Sequence, residues 1–174
     1  MRETAAPVGR PADPRLLAWL ADHDIDHEVH RHPATMTAAE TARAEHVDPH
    51  AFAKTVVVQT SDGRRAVLTV EASDRVDLAK AAYALEADGV HLLQEPELIR
   101  TAPDVDPGAW PPVGSLFGLP VLADHALRED PEITFSAGSH SFGVRVDRAA
   151  WERAADVRYA DLAEDRPNVP AWIR

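Results

Sequence analysis

The sequence predicts a single α+β domain, in which a mixed, largely antiparallel sheet is flanked by helices. Residues 54 to 72 (KTVVVQTSDGRRAVLTVEA) contain two β-branched runs joined by Ser-Asp-Gly, a pattern typical of an antiparallel hairpin. The other strand-like runs alternate with single helical segments, and no repeated βαβ spacing occurs. A chain of 174 residues with 45% hydrophobic content suits one domain with its own core.

The first quarter of the chain predicts a helix, a strand and a second helix. Apolar residues at helical spacing in PADPRLLAWLADHD predict a helix over about 13–23. DHEVHRH carries Val29 between polar neighbours, which favours a short strand. Thr37 and Glu40 then stand at capping-box spacing, so they predict the start of an alanine-rich helix.

The part of the chain after the hairpin alternates in the same way. DRVDLAKAAYALEA predicts a helix, VHLLQ a short buried strand and EPELIRTA a further helical turn. LPVLADHAL, EITFSAG and FGVRVD predict three more strands, followed by a helix in DRAAWERAA. We expect a flexible segment over 1–12, one domain over 13–165 and a frayed tail over 166–174.

Composition narrows the classes of function. The chain has no cysteine, which excludes a disulfide framework, a thiolate nucleophile and cysteine metal ligands. The net charge of −11 argues against a protein that coats nucleic acid through general basicity, although a local positive cleft stays possible. The apolar runs are too short for a membrane span and the start lacks the regions of a signal peptide, so we expect a cytoplasmic protein without a membrane partner.

Four histidines within ten residues raise the hypothesis of a metal site: His23, His27, His30 and His32. His23 and His27 would share a helix face only if the helix ran through Ile25, and no HExxH pattern completes a site. Surface and capping histidines are the commoner interpretation, and we expect neither a metal nor a cofactor.

Three other features are weak when each is taken alone. Lys54 begins an otherwise apolar strand, where it is either a snorkelling surface residue or a cation facing a cleft. His140 stands in a turn between two strands, and turn histidines are usually only solvated. The segment PGAWPPVGSLFG, residues 107–118, is a rigid loop in which glycine would let backbone approach a ligand.

Together these pieces resemble one family. The ordered motifs are HxHP followed by Thr37, AKT with Lys54, GAWPP with Gly108 and Pro112, and SAGSH with His140. They are similar to those of the YbaK-type aminoacyl-tRNA deacylases, the prolyl-tRNA editing domain family, and the similarity runs from about His30 to Leu162. The chain resembles the free-standing members in particular.

The resemblance implies a hydrolase that removes a wrongly attached amino acid from tRNA, with proline tRNA as the expected carrier. It implies catalytic roles for Lys54, Gly108 and His140. It implies substrate contacts for His32, Thr37, Pro111, Pro112 and Gly138. Lys54 would anchor phosphates of the acceptor end, Gly108–Pro112 would line the ester pocket, and His140 would act as a base or shape the pocket. A synthetase or another translation factor would supply further affinity for the tRNA.

Several points stay open at the level of sequence. Val113 and Gly114 follow Pro112 where many members carry Pro-Phe-Gly, so the amino acid removed is undefined. Met36 and Phe52 are candidates for the side-chain pocket, and Trp110 for narrowing it. A local tRNA patch would use Arg64, Arg65 and Lys80, unless these are solvated surface charges. The competing hypotheses are a non-catalytic module of the same fold that binds an aminoacyl-tRNA end, and a histidine-metal hydrolase.

Overall fold

The computed structural model describes residues 9–165, which form five α-helices and eight strands. The helices are α1 (Pro14–Asp22), α2 (Ala38–Ala44), α3 (Leu78–Ala84), α4 (Glu95–Thr101) and α5 (Arg148–Ala154). The strands are β1 (His27–Arg31), β2 (Ala53–Thr60), β3 (Arg65–Glu71), β4 (Val90–Leu92), β5 (Val121–Asp124), β6 (Glu132–Ser139), β7 (Phe142–Asp147) and β8 (Arg158–Ala160). None of these helices is long and apolar enough to cross a bilayer.

The predicted fold class is confirmed, but the strands form two sheets instead of one. One sheet has the order β1-β7-β6 and is antiparallel throughout. The other has the order β4-β2-β3-β5-β8, in which β5 runs parallel to both of its neighbours. A bridge between Phe52 and Thr134 links the two sheets where β2 begins. Sequence periodicity does not report which strands pair, so it could not separate one sheet from two.

Local sequence signals account for most elements. The predicted hairpin is confirmed as β2 and β3, with Val57 opposite Val67 and Gly63 at φ +89° in the turn. The predicted capping box is confirmed as well: Thr37 Oγ1 accepts from the amide of Glu40, and the Glu40 carboxylate accepts from the amide of Thr37. The β2–β3 turn and the Thr37 capping box therefore form as the local sequence predicts.

Three segments differ from the sequence predictions. β5 ends at Asp124, because that side chain caps a 3-10 helix over His125–Glu129 where LPVLADHAL predicts continued strand. β4 is an edge strand with an exposed Leu92, so the prediction of a buried strand in VHLLQ is wrong. β8 has only three residues and carries no strand pattern of its own. It is a strand because its backbone pairs with β5.

The main core lies around the antiparallel sheet and α1. Leu20, Phe135 and Trp151 are among its fully or almost fully buried side chains. The indole N–H of Trp151 donates to the carbonyl of Pro112 at 2.8 Å. The core therefore holds the far end of the proline-rich loop through a hydrogen bond as well as through apolar contact.

The ends of the chain are described only in part. Within the predicted flexible segment 1–12, the Arg10 guanidinium donates to the carbonyl of Pro103 at 2.7 Å. The Arg10 carbonyl accepts a hydrogen bond from the hydroxyl of Ser139. Residues 1–8 and the predicted tail 166–174 lie outside the described residues.

Candidate functional site

Gly108 lies beside His140 at the surface. It is exposed and has φ +81°, a left-handed conformation that favours glycine. A Cβ atom built at Gly108 would lie 3.8 Å from Cε1 of His140 and within 4 Å of no other atom outside its chain neighbours. The structure therefore brings together two of the three predicted catalytic residues, and it leaves open space above the glycine backbone.

The loop residues that follow Gly108 are buried and support its backbone. Trp110 is 2% exposed, and its ring centroid lies 4.1 Å from that of Phe117. Pro111 and Pro112 are buried as well. The expected contacts of these two prolines with substrate stay predictions, and their position indicates that they stiffen the loop from below.

Asp106 ties the glycine loop to the turn that carries His140. Its Oδ2 accepts from the amide of His140 at 3.0 Å, and its own amide donates to the carbonyl of Gly138 at 3.0 Å. The amide of Gly138 donates in turn to the carbonyl of Ala109 at 2.9 Å. A Cβ at Gly138 would lie 2.9 Å from Asp13, so this predicted substrate contact also serves close packing.

His140 and Ser141 form the two-residue turn between β6 and β7. The turn is held from a second side by the HxHP loop: Thr35 N–H donates to the His140 carbonyl at 3.1 Å, and His32 N–H donates to the Ser141 carbonyl at 2.9 Å. Within residues 9–165, no group bonds to the His140 imidazole. The ring is therefore available to a substrate or a water molecule.

Lys54 lies in a different cleft, of about 480 Å³. Its ammonium group donates to the backbone carbonyl of Asp74, and Arg75, Asp77 and Glu164 complete the charged wall. Burial lowers the pKa of Lys54 and the positive Arg75 lowers it further, whereas Asp74 and Glu164 oppose that change. Lys54 is therefore a half-buried cation beside a second cation, which suits an anionic group of a ligand.

A smaller cavity of about 120 Å³ adjoins the Gly108 side of the same strand. Gly108 and Trp110 contribute to it, and Val56 and Leu92 line both this cavity and the Lys54 cleft. The two spaces meet at the part of β2 that β4 does not cover, since β4 pairs only with residues 58–60. A ligand could therefore reach both Lys54 and Gly108 by crossing this open edge.

His32 and Thr37 line neither of these two cavities. His32 is buried, with Nδ1 2.8 Å from the carbonyl of Pro33 and Nε2 3.4 Å from Oε1 of Glu45. Thr37 is exposed and caps α2. Both support the HxHP loop, and their expected contacts with substrate stay predictions.

The other histidines of the cluster go to separate partners. His23 Nδ1 lies 2.8 Å from the carbonyl of Trp19, His27 Nδ1 lies 2.9 Å from the carbonyl of Ile25, and His30 faces Glu28. Among residues 9–165, no three His, Asp or Glu side chains gather as metal ligands. The geometry therefore gives no support to the histidine-metal hydrolase.

The remaining candidates line neither of the two cavities described above. Phe52 is 1% exposed and packs with Ala42 and Ala72, whereas Met36 is 77% exposed. The three cations suggested for tRNA each have partners within the chain. Arg64 pairs with Asp62, Arg65 with Gln59 and Thr101, and Lys80 with Asp161 and Asp165.

Three residues of this region were not predicted from the sequence: Asp106, Arg75 and Glu45. Each acts across a long separation in the chain, and none belongs to a local motif. Of the three, only Asp106 has a sequence signal that could have predicted its role. An aspartate two residues before the glycine of a tight loop often organises that loop.

The segment that departs from the expected family pattern is packed inside the protein. Val113 is fully buried, and a Cβ at Gly114 would lie 1.9 Å from the carbonyl oxygen of Leu119. Phe117, displaced downstream in the sequence, packs its ring against Trp110 in a tilted arrangement. The departure therefore changes the support beneath the loop.

Comparison with known proteins identifies the family of the chain. The model of the aminoacyl-tRNA editing domain matches residues 32–154. Proline–tRNA ligase from Acidithiobacillus ferrooxidans is 31% identical over 144 residues, which are 79% of this chain and 25% of the ligase. The chain thus spans about a quarter of the length of this curated relative.

Solved structures show the same fold. A candidate trans-editing enzyme for prolyl-tRNA synthetase has a TM-score of 0.76 and 24% identity, with 89% of this chain and 100% of that chain covered. A hypothetical protein has a TM-score of 0.79 and 17% identity, with coverage of 86% and 99%. The family match extends over most of the chain and includes Lys54, Gly108 and His140. This protein therefore belongs to the family of aminoacyl-tRNA editing domains.

Proposed function

We propose that this protein is a trans-editing deacylase that hydrolyses the ester of a mischarged aminoacyl-tRNA, with proline tRNA as the carrier. The observation that carries this proposal is the open, left-handed backbone of Gly108 facing the unpaired imidazole of His140. The Lys54 cleft adjoins this point across the uncovered part of β2. The relatives that match are named for prolyl-tRNA synthesis and editing, which supports the choice of tRNA.

The reaction we propose needs no covalent intermediate. A water molecule attacks the ester carbonyl, and the resulting oxyanion is stabilised by backbone N–H groups of the Gly108 loop. The bond to the ribose oxygen then breaks, the ribose oxygen takes a proton, and the amino acid leaves as its carboxylate. Ser139, beside His140, is a poor nucleophile, because its Oγ donates to the Arg10 carbonyl and accepts from the amide of Ser141.

Lys54 would act on the tRNA and not on the ester. An ammonium beside a second cation, Arg75, suits a phosphate of the acceptor end, and a charge-assisted contact contributes about 1.5–3 kcal/mol. His140 would orient the water or accept its proton. Because the acidic total charge of −11 opposes general tRNA binding, a synthetase or another translation factor in the cytoplasm would supply the remaining affinity.

The test is hydrolysis of a panel of aminoacyl-tRNAs by the wild type. The panel contains proline tRNA charged with Ala, Cys, Ser, Thr or Pro, and alanine and serine tRNAs charged with their own amino acids. Lys54→Met keeps the aliphatic stem and removes the charge. We expect selective release by the wild type and a KM about 10-fold to 100-fold higher in Lys54→Met, from the contact energy above.

Arg153→Met is the matched control, since Arg153 is an exposed cation on α5. It removes the same charge without touching the cleft, so its KM should stay near that of the wild type. If the wild type binds the charged tRNAs and releases no amino acid from any of them, the deacylase proposal is wrong and the non-catalytic binding module of the same fold is favoured.

A further inference from the structure

His32 and Glu45 form a buried pair behind the turn that carries His140. Their side chains are 2% and 1% exposed, and Nε2 of His32 lies 3.4 Å from Oε1 of Glu45. Within the described residues, neither Glu45 oxygen accepts a hydrogen bond. A buried carboxylate without donors is costly, so the pair needs a proton between its two members.

The surroundings of the ring decide where that proton can lie. Nδ1 of His32 is 2.8 Å from the carbonyl of Pro33, which can only accept, so Nδ1 carries a hydrogen. Nε2 then presents either a lone pair or a second hydrogen to Glu45. With one further proton the pair is neutral overall, as imidazolium with carboxylate or as imidazole with carboxylic acid. Without it, the pair is an uncompensated buried anion.

The groups that pack against Glu45 do not supply a cation that is free to pair with its carboxylate. On β7, a Cβ at Gly143 would lie 1.8 Å from Oε1, so the carboxyl group lies directly against the backbone of that strand. Arg145 on the same strand is the nearby cation, but its guanidinium is already paired with Glu28 on β1. Burial raises the pKa of Glu45 to about 7, and Arg145 opposes that rise.

The same pair lies under two hydrogen bonds that fix the turn. The His32 amide donates to the Ser141 carbonyl, and two residues beyond Pro33 the Thr35 amide donates to the His140 carbonyl. A change in the pair therefore acts directly on the backbone that presents the His140 ring.

We propose that His32 and Glu45 share one buried proton that is lost as the pH rises through neutrality, and that this proton fixes the His140–Ser141 turn, which makes Glu45 a positioning residue for the candidate active site. Loss of the proton leaves a buried negative charge, which the protein relieves by displacing the HxHP loop and the turn that bonds to it. The effect on catalysis rests on the proposed deacylase function, whereas the shared proton and its effect on the turn do not.

The test compares the wild type with Glu45→Gln, whose amide N–H₂ is a permanent donor toward Nε2 of His32. Backbone ¹H–¹⁵N signals of His140 and Ser141 are followed between pH 5.5 and 8.5, together with kcat on the released amino acid. For the wild type we expect the Ser141 signal to move with a midpoint near pH 7 and kcat to fall severalfold above it. In Glu45→Gln that movement of the Ser141 signal and that fall in kcat should both disappear.

Glu132→Gln is the matched control, because Glu132 is an exposed carboxylate at the start of β6. It should keep the wild-type pH profile. The proposal is overturned if Glu45→Gln keeps that profile too, or if the Ser141 signal of the wild type does not titrate. If the wild type shows no deacylase activity, the proposed function fails, yet the Ser141 signal still decides whether the proton is shared.

Discussion

Replacement of Gly108 by alanine should reduce the activity of the site much more than the stability of the fold. The left-handed backbone at φ +81° costs an alanine about 1–2 kcal/mol, and the reduced freedom of the unfolded chain returns about 0.4–1 kcal/mol. The new methyl group meets only Cε1 of His140, at an ordinary contact distance of 3.8 Å. We therefore expect a net loss of about 1 kcal/mol, or about 2–4 °C in Tm for a chain of this size.

Activity should fall much more than stability. The methyl group occupies the open space above the Gly108 backbone, where the ester and its oxyanion would lie, so it displaces the reacting group. Displacement of this kind commonly reduces the rate by about 100-fold. The assay is kcat/KM for release of the amino acid, with urea unfolding measured on the same protein.

Gly63→Ala is the matched comparison. Gly63 has φ +89° in the β2–β3 turn, and a Cβ there would meet nothing within 4 Å. Gly63→Ala should therefore cost the same stability and leave kcat/KM unchanged. If Gly108→Ala hydrolyses aminoacyl-tRNA as fast as Gly63→Ala, the ester does not lie against Gly108 and the proposed geometry is wrong.

Three further predictions concern the support of the site. Trp110→Ala removes a ring that is 2% exposed and packed against Phe117, so urea unfolding should report a loss of about 3–5 kcal/mol. Asp106→Ala leaves the His140 amide without its acceptor, so it should lose about 1–3 kcal/mol of stability and lower kcat more than Gly63→Ala does. The Glu45 pKa is raised from 4.5 to about 7 on folding, so its protonated form is favoured in the native state and its contribution is fully present only below pH 4.5. The wild-type free energy of unfolding, measured relative to that of Glu45→Gln, should therefore fall by about 3 kcal/mol at most as the pH rises from 4.5 to 7, because the other titrating groups are common to both proteins.

In the candidate site, residues in local motifs could be predicted from the sequence, whereas contacts between distant segments could not. Lys54, Gly108 and His140 follow from ordered motifs, and the structure places Gly108 beside His140. It places Lys54 in the adjoining cleft, because successive residues of β2 point to opposite faces. The long-range contacts of Asp106 and Glu45 could not be recognised, since their partners lie 34 residues away at His140 and 13 residues away at His32.

The sequence by itself determined the class of fold, most of its elements and the family. Those depend on signals within a few residues: the Ser-Asp-Gly turn, the Thr37 capping box, and runs of β-branched residues. Only the tertiary structure decided that the strands divide into two sheets, that β8 exists, and that a buried His32–Glu45 pair lies behind the turn. The physical reason is that strand pairing and burial of charge depend on contacts between distant segments, and residue periodicity records only which face of an element is apolar.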